Sequence, residues 1–160
     1  MIRRDTPVLR WLSMAAAFLF MVLPFPDWLS ALRPFLLALV VAYWVLETPQ
    51  RVGLGRVFLI GLVLDLASFS VLGEHALRLV LIACVLHLMR SRFRFYPVWQ
   101  QSGFLMLMLY VDLTVLWLMH LSQGLPMVQA EVWSSPVLAF LIWPWLYMLL
   151  DNLRLQNRGR

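Results

Sequence analysis

Two aspartates, Asp65 and Asp112, each interrupt a long apolar run. On insertion scales a carboxylate near the centre of a membrane helix costs about 2.5–3.5 kcal/mol, so each should face the protein interior and find a donor. Carboxylates at that depth serve proton relays, ion sites or polar ligand pockets. They also serve as inter-helix glue, here a carboxyl bonded to Arg78, Ser68, Ser70 or Thr114. Glue is the simpler reading and the one preferred here, ahead of a ligand pocket and then a transport relay. Arg78 follows Glu74 by one helical turn, which reads as a surface pair. A tight hairpin would also bring it within reach of Asp65, and Asp27 and Arg33 are placed to pair across an earlier turn.

Little else in the chain suggests chemistry. His75, His87 and His120 are scattered, and Cys84 with His87 makes a C-x-x-H spacing with no second pair near it, which is too little for a metal site. The lone cysteine cannot form an internal disulfide and reads as a small packing residue. Gly53-Leu54-Gly55-Arg56 lacks the preceding strand and the lysine of a phosphate loop. The run Phe104-Leu105-Met106-Leu107-Met108 reads as packing or a lipid-facing surface. No serine–histidine–aspartate set or glutamate pair stands out, so neither an enzyme nor a cofactor is expected.

The elements that position these residues are membrane helices. Of the 160 residues, 62% are hydrophobic and 13% charged, with a mean hydropathy of +0.82. Soluble domains carry roughly 25% charged residues, and a chain this short could not bury so much apolar surface in one core. Apolar runs at about 8–25, 31–48, 57–72, 76–89, 98–121 and 132–150 predict an all-α integral membrane bundle of about six transmembrane helices in one domain. The third and fourth runs are short for the roughly 30 Å hydrocarbon core, so a re-entrant hairpin is the alternative to two full spans. The N-terminal run has the basic flank of a signal peptide but no small-residue cleavage site, and reads as a retained first helix.

The net charge of +5 and a pI near 10.3 do not point to nucleic acid. Every basic residue is an arginine, and the arginines cluster between runs as topology determinants and contacts for anionic lipid headgroups. With six crossings and the N-terminus inside, Arg3, Arg4, Arg10, Arg51, Arg56, Arg90, Arg92, Arg94, Arg154, Arg158 and Arg160 fall inside, and only Arg33 and Arg78 outside. Both termini are therefore expected to be cytoplasmic. Trp11, Trp28, Trp44, Trp99 and Trp133 fall near run ends, where amphipathic rings favour the headgroup region, while Trp117, Trp143 and Trp145 lie deeper. The basic loop Arg90-Ser91-Arg92-Phe93-Arg94-Phe95 reads as a topology anchor. It is also a candidate contact for a cytoplasmic partner or lipid, as the outer loop from Ser122 to Glu131 and the small-residue run Ala15-Ala16-Ala17 are for other partners.

Several segments form a recognisable order: Arg33-Pro34, Tyr43-Trp44, Thr48-Pro49-Gln50-Arg51-Val52-Gly53, Gly61-Leu62-Val63-Leu64-Asp65-Leu66 with Val71-Leu72-Gly73, and Trp99-Gln100-Gln101. Asp112, Val132-Trp133-Ser134-Ser135 and Trp143-Pro144-Trp145 continue the pattern. Together they resemble the MreD family of bacterial rod-shape proteins, and the resemblance runs from about Trp11 to Leu153. It implies a non-catalytic inner-membrane subunit of the cell-elongation machinery, working on peptidoglycan synthesis with MreC, MreB, RodA and penicillin-binding protein 2. The family is also similar in architecture to substrate-binding subunits of energy-coupling-factor transporters, which keeps a lipid- or small-molecule-binding role as the alternative. Gly61, Asp65 and Gly73 match the family's best-marked segment, and the resemblance assigns them no catalytic role.

Overall fold

The computed structural model describes residues 7–23, 35–124, 126 and 130–156. Six α-helices account for most of them: α1 (Pro7–Val22), α2 (Leu36–Glu47), α3 (Leu54–Ser68), α4 (Glu74–Phe93), α5 (Val98–Gln123) and α6 (Ser135–Gln156), with a 3₁₀ turn at Ala130–Ser134 leading into α6. Among the described residues there is no strand. The Asp27–Arg33 pair, Trp28 and, in the loop from Ser122 to Glu131, residues 125 and 127–129 lie outside the described residues.

α2 is the centre of the bundle. Its residues from Leu37 to Leu46 are all buried, and α1, α4 and α6 pack around it. A helix that is apolar all round can pack on every side, and here its neighbours cover it from Leu37 to Leu46. Tyr43 and Trp44 are therefore core residues, at 0% and 1% exposure. Trp44 sits near a helix end as expected, yet its ring is not at a headgroup surface: its indole Nε1 donates to Ser13 Oγ of α1 at 2.8 Å.

α3 and α4 form the closest pair. A Cβ on Gly61 would fall 2.4 Å from Cα of Ala76, so the two backbones touch there. Small residues permit such contact, the usual device between membrane helices. The connecting turn needs a left-handed residue at each end, Phe69 (φ 52°) after α3 and Gly73 (φ 97°) before α4. Pro97 caps the start of α5 and Gly124 (φ 67°) ends it. α6 continues through Pro144, between the fully buried Trp143 and the exposed Trp145.

Element limits differ from the apolar runs in an instructive way. α4 covers Glu74–Phe93, 20 residues or about 30 Å, where the fourth run stopped at 76–89. Its ends carry Glu74, His75, Arg90 and Arg92, which an apolar window discards. α3 stops at Ser68 and its last expected residues form the turn. Val98–Gln123 and Val132–Gln156 are each long and apolar enough to cross a membrane. The outward faces carry many large apolar side chains, among them Leu107, Val111, Leu118, Leu141 and Met148.

The bundle is polarised. At one end the α2 terminus meets α4 through Arg90 Nε donating to the Leu46 carbonyl at 2.9 Å. It meets α6 there through an Arg154–Glu47 ion pair. His87 Nε2 stands 3.0 Å from the Val52 carbonyl at the same end. Arg10, Arg51, Arg56, Arg92 and Arg94 lie on the helix ends and turns gathered there. Among the described arginines only Arg78 belongs to the opposite end, where the C-terminal half of α3 meets the first turn of α4.

Candidate functional site

The opposite end is built around the first turn of α4. A helix begins with backbone N–H groups that lack intrahelical partners. The residue preceding α4, Gly73, has no side chain to cap them. Asp65 supplies the cap from α3, across the turn. Its Oδ2 accepts from Gly73 N at 2.9 Å and Ala76 N at 3.4 Å. Its Oδ1 accepts from His75 N at 2.8 Å, Ser70 Oγ at 3.0 Å and His75 Nδ1 at 2.9 Å. The carboxylate is 1% exposed. A charged acceptor at a helix N-terminus also meets the positive end of the helix dipole, and five donors compensate its burial.

One turn further along α4, Arg78 is 8% exposed and faces α5. Its Nε lies 3.0 Å from both Asp112 oxygens, and Nη2 lies 2.6 Å from Oδ2. The guanidinium also rests over the Phe35 ring, 4.7 Å from its centroid. Phe35 in turn meets His75 edge-on at 5.9 Å. Glu74 stands 4.0 Å from Arg78 Nη1 and 3.7 Å from His120 Nε2 of α5. Asp65, Glu74, His75, Arg78, Asp112 and His120 thus form one cluster joining α3, α4 and α5.

The expected Glu74–Arg78 pair forms, at 4.0 Å, but its placement at the surface is corrected by this geometry. Arg78 is buried and its close partner is Asp112, because an arginine inside an apolar bundle satisfies its donors best with a planar, two-oxygen acceptor. Glu74 is a distant third party. Ser68 donates to the Leu64 carbonyl at 2.7 Å and bonds Ser70 Oγ at 3.2 Å, reaching Asp65 only through Ser70. Thr114 donates to the Val111 carbonyl at 2.7 Å and not to Asp112. Gly61 and Gly73 act on backbone geometry: one lets α4 approach, and the other turns the chain and donates to Asp65.

The three loop arginines separate. Arg90 is partly buried and caps α2, whereas Arg92 and Arg94 are exposed beside the exposed Phe95 and Tyr96. His75 and His120, scattered in the sequence, both join the cluster, and the Glu47–Arg154 pair has no local signature in the sequence. The signal for His75 was present, since Ser-Phe-Ser-Val-Leu-Gly between two apolar runs is a turn, and a carboxylate just before it is placed to cap the next helix. Among the described residues no three histidine, cysteine or acidic side chains are grouped to hold a metal ion. A largely apolar cleft of about 230 Å³ opens between α4 and α5, lined by Leu81, Val85, Phe104, Leu107 and Val115, with Asp112 on its wall.

An all-helical bundle with spanning-length helices, an apolar outer face and buried ionisable groups turned on one another defines a small membrane-associated helical protein. More particularly, the chain belongs to the MreD family: the model of rod shape-determining protein MreD matches residues 2–153. It is 29% identical over 151 residues to the rod shape-determining protein MreD of Haemophilus influenzae, covering 92% of this chain and 93% of that one. No solved structure gives a significant match. Family membership implies a role in rod shape determination.

Proposed function

We propose that this protein is a non-catalytic, multi-pass subunit of the bacterial inner membrane that organises peptidoglycan synthesis in the cell-elongation machinery. In this reading all six helices cross the bilayer and both termini are cytoplasmic. MreC, MreB, RodA and penicillin-binding protein 2 are the partners, and anionic headgroups contact the arginine-rich end. The carrying observation is that the buried ionisable groups are engaged with one another: Asp65 with the start of α4, Asp112 with Arg78, and Glu47 with Arg154. Groups so matched hold helices in register, as a structural subunit requires. The collection of described arginines at one end supports the proposed orientation.

Depletion in a rod-shaped host tests this reading, with reporter fusions at both termini for topology. Rounded cells, cytoplasmic termini and co-purification of MreC are expected. Normal rods together with absence of any such complex would overturn it. A second reading, a lipid- or small-molecule-binding subunit, is favoured by the α4–α5 cleft that has Asp112 on its wall. It requires a ligand that survives purification and is lost in Asp112→Asn; an empty cleft or unchanged binding counts against it.

A further inference from the structure

α1 and α3 both start at the arginine-rich end and run side by side, leaving a groove of about 390 Å³ on the outer face of the bundle. Trp11, Ala15 and Phe18 line one wall, and Leu59 and Val63 the other. Arg56 stands at the mouth, its Nη1 donating to the Arg51 carbonyl at 2.6 Å. From Trp11 to Phe18, and from Arg56 to Val63, each wall advances seven residues, about 10 Å along the helices. The groove is therefore amphiphilic along its length, with one cation at the end and hydrocarbon beyond it.

We infer that this groove binds an anionic phospholipid, with its phosphate on Arg56 and one acyl chain between α1 and α3. Two observations select that occupant. A guanidinium has five N–H donors, one here fixes its position, and the residue is exposed, so a phosphate can be met by several others. Trp11 lies half exposed on the opposite wall near the mouth, where an indole favours the headgroup boundary. The headgroup charge follows from Arg56 itself, and from the further positive charge of Arg51 beside it.

This inference rests on the membrane placement proposed above. The test uses the full chain reconstituted in nanodiscs of phosphatidylethanolamine and phosphatidylglycerol, released into gentle detergent, with native mass spectrometry of retained lipid. Wild type is expected to keep one phosphatidylglycerol in preference to phosphatidylethanolamine. Arg56→Gln should cut that preference about fivefold, the factor one arginine gives near an anionic surface, while still keeping lipid. Ala15→Trp, which fills the shaft, should lose retained lipid of both kinds, and Thr114→Val, on α5 outside the groove, should behave as wild type. Equal preference in Arg56→Gln and Thr114→Val overturns the inference, as does a wild type that carries no lipid or carries a second protein chain instead. Alkaline carbonate extraction of the native membranes separates the two failures: a chain that is stripped off refutes the membrane placement, and one that stays while ignoring Arg56 refutes only the groove.

Discussion

Arg78 and Asp112, 34 positions apart, join α4 to α5 by a two-pronged ion pair in which Nε and Nη2 both reach the carboxylate. The pair stands where the two helices would otherwise be loosely joined, because a cleft opens between them on the far side of Asp112. The Phe35 ring, just before α2, covers the guanidinium, so the pair also sits against the central helix. Its dependence on partnership is its most testable property.

Removing one member should be worse than removing both. Asp112→Ala leaves an unmatched guanidinium inside the bundle, a change that typically costs about 3–5 kcal/mol. Asp112→Leu combined with Arg78→Met removes both charges and is expected to recover most of that loss. Thermal unfolding in detergent, followed by size-exclusion fluorescence, gives the order directly. A double variant as unstable as the single one would show that the pair is not the relevant unit.

Asp65 should act on α4 and not on its own helix. Asp65→Ala removes the acceptor for the N–H groups of Gly73, His75 and Ala76. Loss of a helix cap costs about 0.5–2 kcal/mol, and stranding buried donors adds to that. Hydrogen exchange should accelerate at residues 73–76 far more than at residues 58–64. Equal acceleration in both segments would point instead to general loosening of the α3–α4 pair.

Two glycines in one helix should respond oppositely. Gly61→Ala places a methyl 2.4 Å from Cα of Ala76, backbone against backbone, so α3 and α4 must part. Gly55→Ala has nothing within 4 Å of the new Cβ, and alanine gains about 0.8–1 kcal/mol of helix propensity over glycine. A lowered melting temperature is expected for the first, and an unchanged or raised one for the second.

The sequence was most informative where the physics is local. Apolar runs located six helices because lipid-compatible segments must be long and apolar. Asp65 and Asp112 were recognisable because charge in an apolar run is costly. Arg78 and Ser70 were among the candidate donors and both bond a carboxylate, but which carboxylate each serves was not legible, since Arg78 could reach Glu74, Asp65 or Asp112 and only the packing of α4 against α5 decides. Arg154 illustrates the same limit: its partner Glu47 lies 107 positions away. α2 could not be ranked as the central helix either, because a lipid-facing helix and a fully buried one share the same apolar composition.

The loop arginines should divide by role. Arg90 donates to the Leu46 carbonyl and so closes the end of α2; Arg90→Gln is expected to lower stability by about 1.5–3 kcal/mol, the range for a hydrogen bond from a charged donor. Arg92 and Arg94 are exposed and carry no such bond among the described contacts. Arg92→Gln with Arg94→Gln should leave the melting temperature within about 0.5 kcal/mol equivalent of wild type, as surface changes usually do. The same double variant should weaken association with vesicles containing phosphatidylglycerol, or with a cytoplasmic partner, by about 1 kcal/mol per arginine. Measured together, melting temperature and association distinguish the arginine that holds the fold from the two available to bind. If Arg92 and Arg94 lowered stability as Arg90 does, they would belong to the scaffold and the binding surface would have to be sought elsewhere on that end.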